Sequence, residues 1–471
     1  MIDTRRAATF LAIALWLAAP RAEAWDEAVV LCTDYTGPGS VRSFQRSSPW
    51  SVSPDLATVG VDPVARWRDG LLWVVNRAGG GNVQVLDPAD GWRTVRQFSV
   101  GAGRNPQDIA FAPDGAAYVS CYDEAVLLRV DPVTGAVLEE ISTSDFADAD
   151  GLPETGWMEV VGWRLHVTAQ RLDRDNWYTP AGPGLLLVYD MQARAWIDAD
   201  PALAGVQGIA LQGANPWCQP ELAPGGQLLR LGCAGWYGLA DGGVEEIDLV
   251  ALRSLGWLVT EAALAGDLLD FTLAGEDRAF AIVSDAAFHT AVKMWRPADG
   301  AVLATLKASD AYSYPDLAWD GRDWLYIADR TPGASGLWIL AAATGSEQVA
   351  APIPTGLAPV RLVLPRDPAL TAVPAVAPRA AIALAPPCPN PANPAATLRM
   401  SGPAGGRLDL RVEDLRGRRV RGATIGLDEG GEGSFLFDGL DARGRPVASG
   451  CYLVIVEGAG SAARASLTVV R

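Results

Sequence analysis

Asn105-Pro106-Gln107-Asp108-Ile109-Ala110-Phe111-Ala112-Pro113-Asp114-Gly115 returns far downstream as Tyr314-Pro315-Asp316-Leu317-Ala318-Trp319-Asp320-Gly321. Each stretch reads as a short apolar strand closed by an Asp-Gly turn, and each leads into a second apolar run, residues 117–120 and 324–328. A third run ends in an Asp-Pro turn, as in 125–130 before Asp131-Pro132 or 83–86 before Asp87-Pro88, and a fourth closes the unit, as in 136–141. Four short antiparallel strands per repeat predict a propeller blade. The start of the first strand aligns through Ala65, Asp108, Glu159, Glu221, Asp270, Asp316 and Arg361, with spacings of 43, 51, 62, 49, 46 and 45. That is near the roughly 40–50 residues of a four-stranded blade. The longest interval holds an insertion between Gln170 and Gly184. The seventh start, 359–364, has no blade after it, whereas the first strands of the chain, 28–33 and 41–44, have no inner strand before them. The two halves complete one blade and close the ring, which removes exposed edges. The expected fold is all-β: a seven-bladed β-propeller over 25–365, followed by a small β-sandwich.

The N-terminus carries Arg5 and Arg6, then an apolar run over 7–20, then Ala22-Glu23-Ala24. This is the layout of a signal peptide, residues 1–24, with cleavage after Ala24. The run is shorter than the roughly 20 residues that span a bilayer core, and no later stretch is longer and as apolar, so no transmembrane segment is expected. Export to the cell surface or extracellular space follows, with the periplasm as the alternative. The chain has a net charge of −17, from 38 Lys and Arg against 55 Asp and Glu. That acidity argues against nucleic acid and anionic membranes as partners and fits a binder of cations.

Residues 366–387 are rich in Pro and Ala without periodicity and read as a linker. Strand-like runs return at 408–412, 434–437, 452–456 and 465–470, predicting an immunoglobulin-like β-sandwich over 388–471.

Two resemblances rest on these residues. The propeller resembles the YVTN-type (NHL-like) surface propellers through Gly101-Ala102-Gly103-Arg104-Asn105-Pro106-Gln107-Asp108-Ile109-Ala110-Phe111, Ala117-Tyr118-Val119-Ser120 and Val130-Asp131-Pro132-Val133-Thr134-Gly135. This implies architecture far more than activity, since the family is diverse in function. The C-terminal part resembles the immunoglobulin-like domain of flagellar hook-capping proteins and the type IX secretion C-terminal sorting domain. The matching pieces are Pro389-Asn390-Pro391-Ala392-Asn393-Pro394, Asp414-Leu415-Arg416-Gly417-Arg418-Arg419-Val420, Asp438-Gly439-Leu440-Asp441-Ala442-Arg443-Gly444-Arg445-Pro446-Val447 and Ser449-Gly450-Cys451-Tyr452. Phe437 stands where that family usually has Trp, and Cys451 where an aliphatic residue is usual. The resemblance implies a possible partner in outer-membrane secretion machinery.

Catalytic constellations are scarce. The chain has two histidines, His166 and His289, in different repeats, so neither a multi-His centre nor a Ser-His-Asp arrangement is suggested. The strongest polar cluster is Asp145-Phe146-Ala147-Asp148-Ala149-Asp150-Gly151-Leu152-Pro153-Glu154. Its alternating carboxylates Asp148, Asp150 and Glu154 can wrap Ca²⁺, although the distal Glu of an EF-hand is missing; the other reading is a solvated interblade loop. Asp108, Glu159, Glu221, Asp270 and Asp316 recur one per blade at the channel mouth, where they either share a cation or each accept hydrogen bonds from backbone N–H groups.

Because the first two strands of a blade are antiparallel, the loop before the first and the loop after the second share a face. That face collects Asp34, Tyr35, Arg77, Tyr122, Arg171, Asp173, Arg174, Asp175, Trp177, Trp236 and Tyr237, a mixture suited to a protein or glycan. Six cysteines in an exported chain permit bridges. Counting outward from the Pro224-Gly225-Gly226 turn places Cys218 opposite Cys233 and predicts a disulfide there. Cys388 and Cys451 share the small domain and form a second candidate pair, while Cys32 and Cys121 are expected to stay thiols. The reading is a secreted or surface propeller that binds a protein or glycan and does no chemistry, with the C-terminal domain for sorting or attachment. A metal-dependent propeller hydrolase or lyase and a structural surface-layer component are the alternatives, and no cofactor beyond possible calcium is expected.

Overall fold

The computed structural model describes residues 27–365, 383–385, 387–402, 405–414, 418–428, 430–458 and 461–470. The expected signal peptide, the linker at 366–382 and Leu415 to Gly417 lie outside the described residues. The chain divides into two compact units, 1–373 and 374–471.

Within the first unit, seven antiparallel sheets each run through four strands, and the third carries a fifth short strand, Ile209–Ala210. Numbered as blades 1 to 7, their inner strands are Pro63–Arg68, Pro106–Phe111, Thr155–Val161, Glu221–Leu222, Asp267–Leu273, Leu317–Trp319 and Pro359–Val363. Blade 7 is assembled from both ends of the unit. Pro359–Val363 pairs with Glu27–Cys32, Val29 facing Val363 and Val30 facing Leu362, and Gly39–Gln45 and Ala57–Val59 complete the sheet.

The core sits in the seams between sheets, because strands buried on both faces offer an apolar side chain to each neighbour. Val75 and Val119 share the cluster between blades 1 and 2, Tyr118 and Val167 that between 2 and 3, and Val188 and Leu231 that between 3 and 4. Val244 and Phe271, Ile282 and Leu325, and Tyr326 and Val30 continue the series, and Leu31 with Val74 joins blade 7 to blade 1. Full burial of one such Leu or Val contributes about 2 kcal/mol. The turns obey the chemistry that marked them: Asp114 Oδ1 accepts from the Ala116 amide, and Gly115 takes φ +86°, which favours glycine.

The expected Cys218–Cys233 bridge is absent, and all six cysteines are thiols. The hairpin register does start as counted, with Leu222 facing Leu229 and Glu221 facing Arg230. Beyond Glu221 the strand slips by two residues, so that Pro216 faces Cys233. Cys218 then packs into the seam with blade 5 and Cys233 into the seam with blade 3. The Cys388–Cys451 pair is likewise corrected. Both thiols are exposed on different sheets, Cys388 beside Thr397 and Cys451 beside Thr468.

The second unit is a two-sheet sandwich. One sheet holds Ala383–Leu384, Ala396–Ser401 and Glu432–Phe437, the other Arg419–Gly426, Arg407–Asp414, Gly450–Gly458 and Ser461–Val469. Leu398, Val412, Phe437, Val454 and Leu467 fill its core. Asn390 clamps the last strand, donating to the Ser466 carbonyl and accepting from the Thr468 amide. The Tyr452 hydroxyl donates to the Ala448 carbonyl at 2.7 Å.

Candidate functional site

The inner strands aim their acids at neighbouring backbone. Asp108 accepts from the Ile109 and Met158 amides at 2.8 Å and pairs with Arg66 at 2.6 Å. Asp270 accepts from the Leu317 amide, Asp316 from the Leu362 amide, and Glu221 from the Leu273 amide. Each of these four carboxylates therefore clasps the inner strand of the next blade. Arg361 pairs with Asp316 at 2.6 Å. Burial holds Asp270 and Asp316 above the usual carboxylate range; the charge of Asp316 adds to the rise at Asp270, and Arg361 opposes it at both. Among the described residues no group of three or more His, Cys, Asp or Glu is gathered to hold a metal.

Below these clasps a cavity of about 580 Å³ is lined by Arg66, Arg68, Trp157, Glu159, Gln219 and Arg361 among others. Two guanidiniums lie over the Trp157 ring, Arg66 at 5.5 Å and Arg361 at 5.3 Å from its centroid. Arg66 went unread in the sequence because its partner is 42 residues away.

The acidic loop has protein donors in place. Glu154 is fully buried; its Oε2 accepts from the Leu172 amide and its Oε1 from Arg174 Nε at 2.8 Å. Asp150 accepts from the Leu152 and Arg174 amides, and Asp148 accepts from the Asp150 amide. Arg174 also donates to Asp123 and to the Tyr122 carbonyl. The Arg174 guanidinium thus meets Glu154, while Asp148 and Asp150 accept from backbone amides. Burial pushes Glu154 up to about 7 even so.

Those contacts fasten a small hairpin inserted in blade 3, in which Leu172 faces Pro180 and Asp173 faces Thr179. Asp173 caps the intervening turn by accepting from the Asp175 and Asn176 amides. At its tip Trp177 and Tyr178 both take the left-handed conformation, φ 60° and 59°. Trp177 is 87% exposed.

The loops between second and third strands, and between fourth and next inner strands, share one face. Of the eight exposed aromatic side chains among the described residues, seven lie there: Tyr35, Trp177, Tyr178, Trp217, Tyr237, Phe288 and Tyr312. Trp163, in the turn between Thr155–Val161 and Arg164–Ala169, is the exception. Tyr237 stacks on Phe288 with centroids 5.1 Å apart and donates or accepts at Ser284 Oγ, 2.6 Å away. Arg330 lies over Tyr35 at 4.8 Å, and Arg77 pairs with Asp62 at 2.7 Å. Tyr122 is half-buried under Arg174, its hydroxyl on Gln170, and Trp236 and Arg171 are half-buried at the same face. The sequence reading named part of this face but not Tyr178, Trp217, Phe288, Tyr312 and Arg330; their places in the loops that precede an inner strand or follow a second strand were the available signal.

Fold and site together define an all-β protein built on a β-propeller with one ring-bearing loop face. No family model and no curated protein matches the chain. Among solved structures it is similar to PorZ, a surface component of the type IX secretion system of Porphyromonas gingivalis, at 13% identity and TM-score 0.44 over 95% of this chain. The chain spans 59% of that protein's length. It is also similar to a functionally unknown protein of Desulfotomaculum acetoxidans (10% identity, TM-score 0.49, 73% of this chain and 100% of that one) and to the Dos1 propeller (12%, 0.46, 71% and 85%). Likenesses at this level add nothing to what the sheets themselves display.

Proposed function

We propose that the chain is an exported binding module. Its propeller holds a protein or glycan on the ring-bearing loop face, and its C-terminal sandwich serves sorting or attachment. The observation that carries the reading is the segregation onto one face of seven of the eight exposed rings among the described residues. Large, stiff aromatic side chains left in water cost free energy unless a partner covers them, and Trp and Tyr dominate binding hot spots. Scattered apolar residues elsewhere need no such account. Export is supported by the charge, apolar run and small-residue site of residues 1–24, and sorting by the four separated pieces between 389 and 452.

A glycan array and a proximity-crosslinking capture, each run with the natural chain and with a Trp177→Ala/Phe288→Ala/Tyr312→Ala variant, test the face. A saturable partner that loses at least about tenfold in affinity in the variant is the expected result. A partner held equally by both chains, or crosslinked to the opposite loops, overturns it. Recovery of the protein outside the cytoplasm with Trp25 as its first residue is expected for export.

A further inference from the structure

The rings choose the face; charge chooses the sign of what covers it. The loops of that face are residues 33–38, 60–62, 77–81, 100–105, 122–125, 143–154, 170–184, 197–220, 234–242, 261–266, 285–289, 309–316, 330–335 and 355–358. They carry seventeen carboxylates and five guanidiniums. Three of those carboxyls, Glu154, Glu261 and Asp316, are buried and lifted, the two glutamates to about 7, which still leaves the excess strongly negative. An acidic peptide, a uronate polymer or nucleic acid meets repulsion here. The opposite loops are acidic as well, so charge alone selects no site; rings and carboxylates coincide on one face only.

The face already uses one kind of contact internally. Arg174 lies over Tyr122 at 5.0 Å and over Tyr178 at 5.9 Å, and Arg330 lies over Tyr35 at 4.8 Å. Trp177, Trp217, Phe288 and Tyr312 present exposed rings with no cation over them among the described residues. Nearby carboxylates such as Asp34, Asp241 and Asp285 are fixed by accepting amide hydrogens of their own turns. Among the described residues they have no ion partner of opposite sign that would cancel their charge, His289 beside Asp285 excepted. A guanidinium or ammonium group arriving from outside finds a ring to sit on and a carboxylate beside it.

We propose that the occupant of this face is a cationic protein segment, rich in arginine or lysine and extended enough to reach several loops. The proposal rests on the reading of the face as a binding site and narrows it from protein or glycan to a basic peptide chain. It also gives the Leu172–Pro180 hairpin its task. With its base fastened by Arg174 and its tip set in two left-handed residues, it presents Trp177 in a fixed position, so little ordering entropy is lost on contact.

The probe is a fluorescein-labelled dodecapeptide of alternating Arg and Gly, with the citrulline-for-Arg peptide as a neutral isostere, titrated into the full chain and read by anisotropy. Saturable binding of the Arg peptide, at least about tenfold tighter than the citrulline peptide and weakened as salt rises from 0.05 to 0.3 M on the order of tenfold, is expected. Trp177→Ala/Phe288→Ala is expected to cut the affinity by tenfold or more, and hydrogen exchange is expected to slow in the ring-bearing loops and not in the opposite ones. Equal binding of Arg and citrulline peptides, no loss in the ring variant, or protection spread over both faces overturns the proposal, the last two outcomes reducing it to unspecific attraction. A neutral glycan or neutral protein that binds the natural chain and is lost in the same variant overturns the cationic partner while leaving the binding face intact.

Discussion

His166 is the residue at which pH acts most directly on the fold. Its ring is 1% exposed in the seam of blades 3 and 4; Nδ1 lies 3.3 Å from the Glu159 carbonyl and Nε2 has no partner. Burial lowers its pKa from 6.5 to about 4, Arg164 adding to the effect and the Glu159 contact opposing it. In the unfolded chain the imidazole takes up its proton near 6.5, while the folded chain refuses it until about 4. Stability is therefore complete above pH 6.5 and falls as pH drops toward 4, by about 1.4 kcal/mol per pH unit and about 3 kcal/mol in all. His166→Asn keeps a donor at the Nδ1 position and removes the titration. Denaturant unfolding of both chains between pH 7 and 4 is expected to show the difference in their stabilities shifting by about that amount; parallel profiles would falsify the assignment.

At the scale of elements, the inserted hairpin depends on one side chain. Arg174 joins Glu154, Asp123 and the Tyr122 carbonyl, while its own amide and that of Leu172 are held by Asp150 and Glu154. Two left-handed non-glycine residues at the tip cost about 1 kcal/mol each or more, so the base must hold them. Arg174→Ala is expected to speed amide exchange over 171–181 on the order of tenfold or more, with Arg164–Ala169 unaffected. Arg174→Lys, which keeps the charge but not the fork, is expected to fall between. Uniform protection in all three chains would show that the hairpin stands without the latch. None of this was legible in sequence, because Arg174 lies 20 residues from Glu154 and 51 from Asp123. What was legible is local: the Asp-Gly and Asp-Pro turns, whose hydrogen bonds close within a few residues, and the alternating apolar runs between them. The cysteine reading failed for a related reason. Hairpin arithmetic holds from Leu222 to Glu221, but a two-residue slip follows and leaves Cys218 packed against blade 5, a placement no count from the turn contains.

For the whole molecule the decisive event is closure. Val29 and Val363 face each other across 334 residues of chain, and bringing ends that far apart in sequence together costs about 5 kcal/mol of loop entropy. Blade 7 offsets this cost with a buried sheet edge, the seams toward blades 6 and 1, the Arg361–Asp316 pair and the bond from Trp67 Nε1 to the Val363 carbonyl. A chain ending at Pro365 retains all of these and, since contacts cluster into separate units below and above Val373, is expected to fold alone. A chain ending at Leu357 loses the inner strand, leaves Asp316 buried without its guanidinium and strips the Leu362 amide from the same carboxylate. Breaking a buried ion pair from one side costs about 3–5 kcal/mol, and the bared edge of Glu27–Cys32 invites pairing between chains. Calorimetry of the two chains is expected to give a single cooperative transition for the longer and a broad or lost one, with aggregation, for the shorter. If the chain ending at Leu357 melts as sharply and at the same temperature, the ring is held by its seams alone and the shared blade is not what closes it.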